Sequence, residues 1–143
     1  MIRNLEVILY VVILLSAIIV SEAQTPSEIV TATIILEAGG EYSEGSMEAI
    51  HEVITTRAKN RWLTKDQVCL QPQQFSCWNG SKQADLLAKA KSHPRWGEAF
   101  SITLRPVTSY TGGADHYHAD YCNPYWNKHM KITAKIGRHI FYK

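Results

Sequence analysis

The chain has 143 residues and a mass of 16.2 kDa, which is enough for one domain and too little for two. Its composition is 45% hydrophobic, 20% charged and 10% aromatic, which excludes a disordered chain, a collagen-like chain and a polytopic membrane protein. Fifteen basic and thirteen acidic residues give a formal net charge of +2 without any run of Lys or Arg, so we expect no nucleic-acid partner.

The N-terminal segment, residues 1–23, has the layout of a secretory signal. Arg3 precedes an apolar run over residues 7–20, and the small residues Ser21 and Ala23 follow where a signal peptidase cleaves. This run of 14 residues is short for a bilayer span, which needs about 20. We therefore predict a cleaved signal peptide and a mature domain over residues 24–143. The alternative is a retained anchor with transient membrane association, and in both cases the domain is exported to the periplasm, cell wall or extracellular space.

The first helix of the mature chain is predicted from its two ends. It begins around Thr25-Pro26-Ser27-Glu28, where Thr25 is expected to cap the helix and Glu28 to complete a capping box. Apolar residues then recur with helical period as a stripe, and Gly39-Gly40 ends the helix. Glu37 consequently falls on the last turn.

The remainder is predicted to hold further helices, long loops and one strand. Apolar spacing and stop signals indicate helices at three places: residues 46–60, 82–91 (capped by Ser81) and 126–134. Two stretches lack a clear period and are expected as loops: residues 61–80 and 95–126. Alternation over residues 136–142 indicates a strand. The predicted fold class is mostly α, as an α+β domain with long loops and a small sheet or short β-hairpin.

Two acidic residues near the end of the first helix are candidates for acid–base chemistry. Glu37 follows an apolar helix and precedes two glycines, which allow a substrate to approach the backbone. A carboxyl group in a partly apolar setting can hold its proton near neutral pH and act as a general acid. Glu41, four residues later, is the candidate for a second carboxylate of a glycosidase pair, against the simpler interpretation of a solvated loop residue.

The densest group of possible metal ligands is Asp115, His116 and His118. An H-x-H pair on a strand places both imidazoles on one face, which can hold zinc. The surrounding aromatic residues favour a substrate groove or hydrogen-bonded packing instead, and we predict no metal and no cofactor. Seven of the eleven Tyr and Trp residues, among them Tyr117 and Tyr121, suit the stacking of sugar rings, although some must belong to the core.

Three cysteines allow at most one disulfide within the chain, either Cys69–Cys77 or Cys77–Cys122. Their spacing matches no common zinc pattern. A Cys77 nucleophile with His116 as its base is a weak further option, because an exported compartment favours a disulfide.

Three blocks of sequence occur in a characteristic order. The first is Glu37-Ala38-Gly39-Gly40-Glu41, then Gly45 and a helix ending near Arg57; the second is Gln74-Phe75-Ser76-Cys77-Trp78; the third is Thr111-Gly112-Gly113-Ala114-Asp115-His116-Tyr117-His118, followed by Pro124-x-Trp126 and Ile136-Gly137-x-His139-x-Phe141-Tyr142. Together they resemble the SleB/CwlJ-type cell wall hydrolases over residues 29–142. Gly39 stands where that family has Arg, and Thr56 stands where it has Asn.

The resemblance implies a lysozyme-like, mostly helical fold and peptidoglycan as the partner. It implies cleavage between N-acetylmuramic acid and N-acetylglucosamine by a lytic transglycosylase with one Glu as acid and base. The first Glu of the E-A-x-G-E block corresponds to Glu37, with Glu41 as the fallback. The residues expected along the substrate groove are Glu41, Phe75, Ser76, His116, Tyr117 and His118.

Two other functions remain open from the sequence. A zinc-dependent peptidoglycan peptidase or amidase would use His116 and His118, and a non-catalytic peptidoglycan-binding module would keep the fold without the reaction. Neither alternative requires Glu37.

Overall fold

Five α-helices and a three-stranded sheet make up residues 27–143, the part of the chain that this computed structural model describes. The helices are α1 (Glu28–Ala38), α2 (Ser46–Arg61), α3 (Lys65–Leu70), α4 (Gln83–Lys91) and α5 (Trp96–Thr103). The strands are β1 (His116–Ala119), β2 (Ile132–Ile136) and β3 (His139–Tyr142), and short 3₁₀ helices cover Ser76–Trp78 and Tyr125–His129. The prediction of a mostly α domain with a small sheet is confirmed.

The predicted signal segment, residues 1–23, and Thr25 lie outside the described residues. Within residues 27–143, none of the helices has the length and apolar character that a bilayer crossing requires.

Helix α1 lies at the centre of the core and is buried on nearly all sides. Its cap is Ser27 rather than the predicted Thr25, because the Ser27 side chain accepts a hydrogen bond from the Val30 amide at 3.2 Å. The expectation of a single apolar stripe is wrong, since residues on every face of α1 are buried. Thr31 and Thr33 tolerate this burial because their hydroxyls donate to backbone carbonyls one turn earlier, at 2.9 and 2.8 Å.

Two helices lie where loops were expected. Helix α3 interrupts the predicted loop over residues 61–80, and α5 interrupts the one over residues 95–126. The start of α3 has a sequence signal that was missed, a capping box in which Thr64 accepts from the Gln67 amide while Gln67 accepts from the Thr64 amide. Helix α4 begins at Gln83, one residue beyond the predicted start, and Ser81 does not cap it.

The C-terminal part forms an antiparallel sheet in the order β1-β3-β2. The predicted helix over residues 126–134 is wrong, because a 3₁₀ helix ends at His129 and β2 begins at Ile132. The predicted single strand over residues 136–142 is instead a hairpin. Gly137, with φ of 53°, turns the chain between β2 and β3.

Strand β1 places alternate side chains on opposite faces of this sheet. Tyr117 stacks on Phe141 with ring centroids 5.6 Å apart, and this face packs against the helices. His116 and His118 point to the other face, where both rings lie beside Trp126 at centroid distances of 5.2 and 5.6 Å. The two histidines therefore share a face, as predicted, and it is the face opposite Tyr117.

His51 on α2 is buried in neutral form. Its Nε2 lies 3.0 Å from the Lys65 ammonium group, which donates to it. Burial lowers the pKa of His51 to about 4, and the positive charge of Lys65 acts in the same direction.

We expect this histidine to make the free energy of unfolding depend on pH. The unfolded ring titrates near 6.5, so between pH 6.5 and 4 the unfolded chain binds the proton and the folded chain does not. Stability should fall as the pH drops through this window, by about 3 kcal/mol at most from His51. Urea denaturation of His51→Gln should show a flatter pH dependence than wild type. The exposed His129→Gln variant is the control, and an unchanged slope in His51→Gln would contradict the prediction.

Candidate active site

A groove of about 490 Å³ runs between the end of α1, the loop before α4 and the sheet. One wall comes from the helices and consists of Leu36, Glu37 and Arg57. A loop wall faces it and consists of Gln73, Gln74, Ser76 and Cys77. The sheet and the segment after β1 complete it with Tyr117, His118, Ala119, Tyr121, Cys122 and His139. Most of these lining residues are polar or aromatic, which suits a hydroxyl-rich ligand or a segment of a polar polymer.

Glu37 lies on the last turn of α1, as predicted, and is half-buried in the groove wall. Its Oε2 accepts a hydrogen bond from the Tyr117 hydroxyl at 2.8 Å, and its Oε1 accepts a longer one from the Cys77 amide at 3.3 Å. The helix ends one residue later, and a Cβ on Gly39 would lie 2.5 Å from the Ile35 carbonyl oxygen, so a larger residue there requires a shift of the helix end. The carboxyl group is thus oriented from two sides and borders the groove.

Tyr117 is a permanent hydrogen-bond donor to this carboxyl group. Burial, reinforced by the neighbouring Glu37 carboxylate, raises the pKa of Tyr117 well above its usual value, so the phenol keeps its proton. The hydroxyl of a neutral phenol can donate to Glu37 in either protonation state of the carboxyl group.

Arg57 is a buried cation that holds the two walls of the groove together. Its Nε donates to the Asp115 carbonyl oxygen at 2.7 Å, and one terminal nitrogen donates to the Gln74 carbonyl oxygen at 2.9 Å. The guanidinium group also lies 4.9 Å from the Phe75 ring centroid and 5.8 Å from that of Tyr117. Burial lowers the pKa of Arg57, although an arginine remains charged at any physiological pH.

Glu52, five residues before Arg57 on α2, anchors the chain that leads into β1. This carboxylate is 3% exposed and accepts four hydrogen bonds. The donors are the Thr108 hydroxyl, the Tyr110 amide at 2.6 Å, the Thr111 amide at 2.8 Å and the Thr111 hydroxyl at 2.6 Å. The loop before β1 is therefore held by one buried charge that the sequence analysis did not single out.

Glu41 is engaged within the fold and is not among the groove-lining residues described above. Its Oε1 accepts from the Ser43 hydroxyl at 2.8 Å, and its Oε2 accepts from the Arg138 amide at 3.0 Å. These hydrogen bonds, that of Ser43 foremost, lower the pKa of Glu41. A side chain on Gly137 would overlap this carboxyl group, so glycine permits the hairpin turn to approach it. The geometry makes Glu41 an ionised anchor and a poor proton donor.

The histidines predicted in the groove have other partners. His116 does not line the groove, and its Nδ1 lies 2.7 Å from Asp115 Oδ1. His118 borders the groove, but its Nδ1 donates to the Ala119 carbonyl oxygen and its Nε2 pairs with the Tyr142 hydroxyl, both at 2.8 Å. Within residues 27–143, no group of three or more His, Cys, Asp and Glu side chains is placed to hold a metal ion.

His139 is a groove residue that the sequence analysis missed as a site residue. Its ring lies edge-on to Tyr117 with centroids 5.4 Å apart. Burial lowers the pKa of His139 and so favours the neutral ring. The negative charges of Glu37, Glu41 and Asp120 oppose this shift but do not cancel it. The sequence block Ile136-Gly137-x-His139, which resembles the cell wall hydrolases, contains this residue and could have indicated it as a site residue.

The loop wall contains one of the predicted substrate residues, Ser76, and the Cys77 thiol. Ser76 is exposed in the groove, whereas Phe75 is buried behind it and packs under Arg57. Cys69, Cys77 and Cys122 are all free. Burial, with the adjacent Glu37 carboxylate, raises the pKa of Cys77, so this thiol stays protonated and is a poor nucleophile.

We expect Glu52→Gln to lower the free energy of unfolding by about 2–4 kcal/mol. The amide NH₂ of glutamine would face two of the four donors that Glu52 now accepts from, and those buried donors would lose their acceptor. Urea denaturation measures the change. Glu48→Gln is the matched control, since Glu48 lies on the same helix and forms no hydrogen bond within the described residues. Equal stability of the two variants would contradict the anchoring role of Glu52.

One protein-family model matches most of the chain. The family model described as Cell Wall Hydrolase matches residues 40–142, which include Arg57, the loop wall and the whole sheet, while Glu37 lies three residues before the match. No curated protein and no solved structure matches the chain, so the likeness to lysozyme stays a prediction. The matched range covers well over half of the sequence. The chain therefore belongs to the SleB-like family of cell wall hydrolases, whose members act on peptidoglycan.

Proposed function

We propose that this hydrolase cleaves the glycan strand between N-acetylmuramic acid and N-acetylglucosamine as a lytic transglycosylase, with Glu37 as both acid and base. The observation that carries the proposal is the placement of Glu37. It is the one acidic side chain among the described residues that line the groove, and Tyr117 and the Cys77 amide orient it.

The reaction begins with Glu37 in its protonated form. Its proton passes to the glycosidic oxygen as the bond to the anomeric carbon of the muramic acid breaks, and N-acetylglucosamine leaves with a 4-hydroxyl group. The Glu37 carboxylate then removes the proton from the muramic 6-hydroxyl, whose oxygen bonds to the anomeric carbon. The product is a 1,6-anhydro ring, Glu37 has its proton back, and no water is consumed.

The position of Glu41 supports this route over hydrolysis by water. Glycosidases that use water need a second carboxylate facing the first across the bond. Glu41 is the nearest acidic candidate in sequence, and it is occupied by Ser43 and by the hairpin turn at Arg138. The transglycosylase route requires only the one carboxyl group that the groove holds.

We expect Glu37→Gln to lower the release of glycan fragments from purified sacculi by about 10²- to 10⁴-fold, the usual contribution of a general acid–base group. The amide has nearly the same shape and can still accept from Tyr117, so the fold should persist. Digests with residues 24–143, read by mass spectrometry, should contain 1,6-anhydromuramic ends. Reducing ends would instead indicate attack by water.

Glu41→Gln is the informative comparison for that experiment, because Glu41 lies inside the family match. Its single amide oxygen can accept from Ser43 or from Arg138 but not from both, and because the Arg138 contact is exposed the lost hydrogen bond can be made to water, so we expect activity within about tenfold of wild type. If Glu41→Gln lost activity and Glu37→Gln retained it, Glu41 and not Glu37 would be the acid and base. Release of stem peptides would show that the enzyme cleaves peptide or amide bonds, and neither Glu37 nor Glu41 would then have the proposed role.

We expect Tyr117→Phe to lower kcat by about 10- to 100-fold, since a hydrogen bond to a charged group contributes about 1.5–3 kcal/mol. The phenyl ring keeps its packing on Phe141, so the loss should be catalytic rather than structural. Steady-state digestion of sacculi measures the change, with the exposed Tyr125→Phe as control. A wild-type kcat in Tyr117→Phe would show that this hydroxyl does not position Glu37.

A further inference from the structure

One aromatic ring that lines the groove is not part of the hydrophobic core. Tyr121 follows β1 directly, lines the groove and is 75% exposed. A large aromatic side chain held in the open at a groove is a common feature of ligand-binding surfaces.

The Tyr121 ring is supported from one side. The Arg138 guanidinium lies 5.2 Å from the ring centroid, and Arg138 Nε lies 3.7 Å from Asp120 Oδ1. The backbone of Arg138 is itself fixed, because its carbonyl oxygen accepts from the Asp120 amide at 2.7 Å and its amide donates to Glu41. The cation covers one face of the ring, and the exposure of the residue leaves the other face to solvent.

Two other exposed tyrosines lack this combination of features. Tyr125 is 82% exposed, does not line the groove and has no cation over its ring within the described residues. Tyr42 is 80% exposed and lies under Arg95 with the guanidinium 5.0 Å from its centroid, but it is likewise not a groove residue. Tyr121 combines a place in the groove with a supporting cation.

We propose that Tyr121 is a stacking platform for a hexosamine ring of the glycan strand, at a position beyond the bond that Glu37 cleaves. This inference rests on the proposed function. The apolar C–H face of a pyranose packs on the open face of the phenol ring, and Asp120 and Arg138 at the same rim offer an acceptor and donors to its hydroxyl and acetamido groups.

Binding can be measured without turnover in the Glu37→Gln variant. The probe is a purified tetrasaccharide of alternating N-acetylglucosamine and N-acetylmuramic acid without stem peptides, titrated by calorimetry. We expect Tyr121→Ala in this background to raise Kd by about 5- to 30-fold and Tyr121→Trp to restore the affinity. The matched control is Tyr125→Ala, which should leave Kd unchanged. In the active enzyme, Tyr121→Ala should raise KM for solubilised glycan more than it lowers kcat.

The outcomes separate this inference from the proposed function. An unchanged Kd and an unchanged KM in Tyr121→Ala would overturn the stacking role of Tyr121. The proposed function would still stand in that case if the anhydro products depend on Glu37. Failure of the Glu37→Gln variant to bind the tetrasaccharide at all would also overturn it. Weaker binding in Tyr121→Ala, together with products that do not depend on Glu37, would support the platform and refute the assigned acid.

Discussion

The burial of α1 on nearly all of its faces is the constraint on which the groove depends. A helix with one apolar stripe can shift along its neighbours, whereas one that is buried all round can move only by disrupting the core. Ala32 and Ile34, on different faces, are both fully buried. The last turn, which carries Glu37, is consequently fixed. The loop wall shares this support, because the Trp78 indole donates to the Thr33 hydroxyl at 3.0 Å. Glu37 and the loop opposite it are thus positioned by the same helix.

Helix α2 contributes two buried charges that orient the remaining wall. Glu52 holds the segment before β1 by accepting hydrogen bonds from it. Arg57 donates to the Asp115 carbonyl oxygen just before β1 and to the Gln74 carbonyl oxygen in the loop wall. A buried charge without such partners would strongly favour unfolding, so these contacts select one arrangement of the sheet against the helices. The sheet in turn presents Tyr117 and His139 to the groove. The geometry of the site therefore comes from polar contacts as much as from apolar packing.

Local signals explain which parts of this arrangement could be predicted from sequence. The end of α1 and the position of Glu37 followed from two glycines, and α2 followed from its apolar spacing. The capping box at Thr64 was equally local and was overlooked. Strand alternation alone separates His116 and His118 from Tyr117, because successive side chains of a strand point to opposite faces. Glu52, Arg57 and His139 could not be recognised from local patterns, since their roles arise from partners far along the chain. The hairpin was misread as one strand because Gly137 was counted within an alternating run.

The contact between Tyr117 and Glu37 joins residues 80 positions apart, and that between Arg138 and Glu41 joins residues 97 positions apart. Contacts of such separation carry the largest loop-closure entropy and form after the local helices in most folding sequences. We therefore expect the groove to form late in folding, when the sheet docks on α2 through Phe141, Ala49 and Val53. Under the proposed role of Glu37, activity begins only once β1 has docked and Tyr117 has reached this carboxyl group.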